Sequence, residues 1–160
     1  MNESFTPWVL WALFLWGVDL FFFSQIPFLR ILVDPLLLFL IFLGFRLPSG
    51  RFLWAIGVAL GFLRDIGTGA LLGGFACTFA LVGWILNSSR HLVERDDPLV
   101  QGIWAGILSG ISGLVYGILL KVTDPAMGWN VWVGWVLPAA MVVNGTFAAW
   151  SFPRLQRILR

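Results

Sequence analysis

The residues able to do chemistry in this chain are few and far apart. Arg64 and Asp65 stand side by side in the stretch Leu60 to Gly74 (L-G-F-L-R-D-I-G-T-G-A-L-L-G-G), which also holds five glycines. Apolar runs lead into this stretch and out of it. Charged side chains are costly near a bilayer, so this pair must sit at an interface, line a polar cavity or pair with each other. The glycines let the backbone turn sharply or let helices approach closely. The stretch therefore reads as the turn between two membrane-crossing segments. Two further polar groups fall inside apolar runs. Asp19 is either a polar-cavity or proton site, or an interfacial residue close to Arg30. Asn144 is either a helix-to-helix hydrogen bond or a ligand contact.

Enzyme constellations are not visible. With one histidine, His91, in a polar loop and one cysteine, Cys77, in an apolar run, a protein metal site or a Cys–His nucleophile has nothing to build on. Nucleophile-elbow and phosphate-loop patterns are missing as well. The expectation is a non-enzyme without cofactor or metal. Cys77 is expected to be a small buried residue.

These residues must be positioned by elements that are mostly hydrocarbon. Of 160 residues, 59% are hydrophobic and only 11% charged, whereas a soluble domain carries roughly a quarter charged residues. That composition calls for lipid as the solvent. The ten Trp and fifteen Phe agree with it, since Trp favours the headgroup region. A net charge of +2 is too small to argue for nucleic acid. The fold class expected is an all-α membrane protein, a compact bundle of about six transmembrane helices in one integral domain over residues 1–160. The expected spans are about 8–24, 28–45, 52–64, 70–87, 99–120 and 130–150. The second is short for roughly 20 residues of membrane, so it must begin inside protein or borrow residues before Asp34-Pro35. The stretch Arg90 to Pro98 is a water-exposed loop.

Orientation follows from the basic residues. With six spans, Arg46, Arg51, Arg90, Arg95, Arg154, Arg157 and Arg160 share the side of the termini, and only Arg30, Arg64 and Lys121 face the other. This bias places both termini in the cytoplasm. The fifth span carries a ladder of small residues: Gly102, Gly106 and Gly110 at spacing four, with Ser109, Gly113 and Gly117 on a neighbouring line. In lipid such ladders bring helix backbones together, so these glycines form either an internal packing face or a seat for a partner's helix. The fifth helix is expected at the centre of the bundle.

The chain resembles the MreD family of bacterial rod shape-determining membrane proteins. The likeness rests on size, on D-P-L-L-L-F-L at Asp34-Pro35, on the basic turn that follows, and above all on the pattern G-x-x-x-D-x-x-[S/T]-G-x-P-x-G-x-x-A. The chain matches that pattern at Gly61, Asp65, Thr68, Gly69, Gly73 and Ala76, and departs from it at Leu71, where the family has proline. The resemblance implies a non-catalytic scaffold in the bacterial cytoplasmic (inner) membrane. Its implied partners are membrane lipid, the transmembrane helix of an MreC-like protein and, beyond that, RodA, a penicillin-binding transpeptidase and the actin-like MreB. The alternative is the substrate-binding membrane subunit of an energy-coupling-factor vitamin transporter, a class of similar size and architecture. That reading needs polar groups in a cavity facing out of the cell, and the apolar spans argue against it.

Overall fold

The computed structural model describes residues 6–18, 21, 33–47, 52–68, 72–89, 97–126 and 128–158. Asp19, Arg30, Gly69, His91 and most of the Arg90 to Pro98 loop lie outside them. All regular structure among the described residues is helical. The helices are α1 (Thr6–Val18), α2 (Pro35–Arg46), α3 (Leu53–Thr68), α4 (Gly74–Ser89) and α5 (Pro98–Thr123). The last, α6 (129–158), opens with Trp129–Val131, passes through a π-helical segment at Trp132–Val136 and continues as Leu137–Ile158. Among the described residues, α5 and α6 are long and apolar enough to cross a membrane; α2 and α4 are shorter apolar helices.

The starts of α2 and α5 share one device. Asp34-Pro35 and Asp97-Pro98 each place proline at the first helical position, where its missing N–H costs nothing. The preceding carboxylate then accepts an otherwise unpaired backbone N–H, from Leu37 at 3.0 Å and from Leu99 at 2.8 Å. Two Asp-Pro pairs thus mark two helix starts, one of them at the edge of the polar loop.

The centre is α2, not α5. Every residue from Leu36 to Phe45 is buried, whereas α5 leaves Ile103, Ile107, Leu114 and Ile118 exposed. The reason is length. Twelve residues make a helix of roughly 18 Å, too short to bridge a hydrocarbon layer alone. Being apolar on every face, it can be enclosed by its neighbours. Its lower half packs Phe42 and Phe45 against Phe152 of α6, and Gly44 sits against Leu86 of α4.

The helices pair as two hairpins around α2. In the first, α3 and α4 run antiparallel in backbone contact. A side-chain carbon at Gly57 would strike the Phe79 carbonyl, one at Gly61 would strike Ala76, and one at Gly83 would strike the Leu53 carbonyl. In the second, α5 and α6 run antiparallel along the glycine ladder. Trp16 of α1 ties the N-terminal helix to the first hairpin by donating its indole N–H to the Leu63 carbonyl at 2.8 Å.

Candidate functional site

Arg64 and Asp65 do not pair with each other. Neighbours on a helix point about 100° apart, so each serves a different side of α3. Asp65 is buried and turns toward the start of α4. Its Oδ2 accepts from the Gly73 and Ala76 N–H groups at 2.9 and 3.3 Å, and its Oδ1 from the Phe75 N–H at 3.0 Å. The first N–H groups of any helix have no partner within that helix, and in an apolar surrounding each unmet one is costly. Asp65 therefore caps α4 from the end of α3. It sits near the negative carbonyl end of its own helix, but the positive end of α4 attracts it.

The rest of the glycine-rich pattern around Asp65 serves the same lock. Gly73 has φ +90, a backbone conformation that side chains rarely adopt, and it donates directly to Asp65. Gly61, one turn before Asp65, admits Ala76 to backbone contact. Thr68 donates its hydroxyl to the Asp65 carbonyl at 3.3 Å. The described pattern residues Gly61, Asp65, Thr68, Gly73 and Ala76 thus converge on one helix-to-helix turn.

Arg64 faces the other way, into the bundle. Its Nη1 lies 3.0 Å from Asp34 Oδ1, and its guanidinium lies 4.8 Å from the centre of the Phe75 ring. Phe75 in turn stacks on Tyr116 of α5, with ring centres 4.0 Å apart. Asp34 is held a third time where its backbone N–H meets Asn144 Oδ1 at 3.4 Å. Asn144 is thus a helix-to-helix hydrogen bond that also borders a cavity.

That cavity, about 250 Å³, lies between α2, α3, α5 and α6 on the side of the α3–α4 turn. Its wall includes Asp34, Arg64, Ser109, Ser112, Tyr116 and Asn144. In the sequence Ser109 stands only as a small residue of the ladder, and Ser112 and Tyr116 belong to no motif. Their spacing, i, i+3 and i+7 on α5, was the available sign that the three share a face.

The glycine ladder faces α6. A side-chain carbon at Gly102 would lie 2.8 Å from the Gly145 carbonyl, and one at Gly106 would lie 2.9 Å from the Met141 carbonyl. At Gly110 the nearest atom is the Met141 sulfur, at Gly113 it is a Leu137 methyl, and at Gly117 it is the Trp132 indole. On the outer side, the seam between α5 and α6 opens as a shallow apolar groove of about 380 Å³, lined by Gly102, Ile103, Gly106, Ile107, Val142 and Gly145 among others. Cys77 is exposed on α4, not buried, because Ala76 and Phe79 take the inward face of that helix.

Comparison with family models, with curated proteins and with solved structures returned no match.

Proposed function

We propose that this chain is a multi-pass scaffold of the bacterial cytoplasmic membrane, of the MreD type, that seats the transmembrane helix of an MreC-like partner. The observation that carries the reading is the groove between α5 and α6. It is apolar and open along one side, with Ile103, Ile107 and Val142 exposed along it, while Gly102, Gly106 and Gly145 let α5 and α6 meet closely beneath. The convergence of the family-pattern residues on a single turn supports the resemblance. The membrane setting is supported by α6, whose apolar window is only 17% buried by the rest of the chain. Water would not tolerate so large an uncovered apolar surface. By the basic-residue bias, both termini lie in the cytoplasm, with Arg46 and Arg154 on that side and the cavity toward the other. RodA, the transpeptidase and MreB would be reached through the same assembly, linking cell shape to peptidoglycan synthesis.

The test is co-expression with an MreC-like protein, mild solubilisation and size-exclusion chromatography. Co-elution is expected, and it should be lost when the partner's transmembrane helix is replaced. Ile107→Trp fills the groove from its exposed edge. It should abolish co-elution while leaving thermal stability within about 0.5 kcal/mol of the parent, as for surface changes generally. A well-folded protein that never co-elutes would remove the reading. A second reading, a small-molecule-binding membrane subunit, is favoured by one observation, the cavity whose mostly apolar wall also holds Arg64, Ser109, Ser112 and Asn144.

A further inference from the structure

We propose that the cavity between α2, α3, α5 and α6 binds a small molecule that is uncharged overall, with a flat ring and hydrogen-bonding groups, in the manner of a heteroaromatic amide or a nucleobase. This holds whether the chain acts as a scaffold or as a transporter subunit.

Size sets the first limit. A volume of about 250 Å³ equals roughly eight waters of liquid and falls just below the usual range for ligand pockets. The occupant is therefore small. Water alone fits the wall poorly, because most of that wall is apolar and each water needs two to four polar partners.

Charge sets the second. Among the described residues, Asp34 and Arg64 are the charged side chains on the wall, and they form an ion pair at 3.0 Å. Their two charges cancel. An anion would have to compete with Asp34 for Arg64, and a cation would have to compete with Arg64 for Asp34, each breaking a desolvated pair. A molecule without net charge leaves that pair intact.

The polar and aromatic groups set the third. Ser109 is 4% exposed, lines the cavity, and its Oγ has no hydrogen-bond partner among the described residues. A buried hydroxyl left unmet is uncommon and costly, and here it belongs to a residue of the cavity wall. Ser112 and Tyr116 follow it along the same side of α5, and Asn144 stands across from α6. The rings of Tyr116 and Trp132 supply flat wall, while Phe75 is covered by the Arg64 guanidinium and by Tyr116. Phe75 and Tyr116 are fixed by stacking on each other. The Trp132 indole N–H already donates to the Gly113 carbonyl at 3.2 Å, which leaves its ring surface for contact.

The experiment is equilibrium dialysis and thermal unfolding of the whole purified chain in detergent, with nicotinamide, cytosine and adenine as neutral probes and nicotinate as the charged analogue of the first. At least one neutral probe should bind at one per chain and raise the unfolding temperature with dose. Nicotinate should bind at least about tenfold more weakly than nicotinamide, since it must disturb a desolvated ion pair. Ser109→Leu fills the cavity and should lower neutral-probe affinity by about tenfold or more, the scale of one lost hydrogen bond plus lost space. Ser112→Ala, which removes the hydroxyl and adds nothing, provides a second reading if Ser109→Leu does not fold. The proposal is overturned if no neutral probe binds at millimolar concentration, if nicotinate binds as well as nicotinamide, or if the folded serine variants bind like the parent.

Discussion

Two hairpins are built on glycine, and they use it differently. In α3–α4 the glycines Gly57, Gly61 and Gly83 meet backbone atoms of the opposite helix, and Asp65 closes the open end with three hydrogen bonds. In α5–α6 the upper glycines Gly110, Gly113 and Gly117 meet the ends of side chains, Met141, Leu137 and Trp132. Backbone cannot yield without moving a helix, whereas a methionine or leucine tip can rotate. The first hairpin is therefore a rigid frame. The second keeps close packing only near Gly102 and Gly106, and it borders both the outer groove and the inner cavity. The inner cavity borders the adaptable part of this hairpin, while the outer groove runs along its closely packed part.

The sharpest way to break this comparison is to add the same methyl group to both hairpins. Gly61→Ala drives a carbon into the backbone of Ala76 and should cost about 3 kcal/mol, the upper part of the overpacking range. Detergent-unfolding curves should show it as a large fall in midpoint. Asp65→Ala leaves three backbone N–H groups without an acceptor and should cost about 2–3 kcal/mol. Asp65→Asn, which keeps one accepting oxygen, should lose roughly half as much. Gly113→Ala meets only a Leu137 methyl at 2.7 Å and should cost less than about 1 kcal/mol. Equal losses for Gly61→Ala and Gly113→Ala would erase the distinction between the hairpins.

Much of the frame was legible in the chain before its fold. The glycines around Asp65 announced a turn, and Asp34-Pro35 announced a helix start, whereas Asp97-Pro98 read only as the end of the polar loop. The partner of Asp65 was not legible, because backbone N–H groups have no letter in a sequence. The Arg64–Asp34 pair joins residues thirty positions apart, and nothing local marks it. The central place of α2 was hidden for another reason. In a chain this apolar, periodicity no longer separates a face turned to lipid from one turned to protein, so the run from Leu36 to Phe45 carries no stripe. The cavity was half legible. Ser109, Ser112 and Tyr116 declare one face of α5, but only the fold brings Arg64 and Asn144 to meet it.

The central claim is that α5–α6 receives a partner while α3–α4 frames the bundle. Photocrosslinking in native membranes tests it most directly, with the reactive group placed at Ile107 on the groove or at Ile66 on the outer surface of α3, both exposed positions. The account predicts a crosslink to the MreC-like transmembrane helix from Ile107 and none from Ile66. A crosslink from Ile66 alone would contradict it.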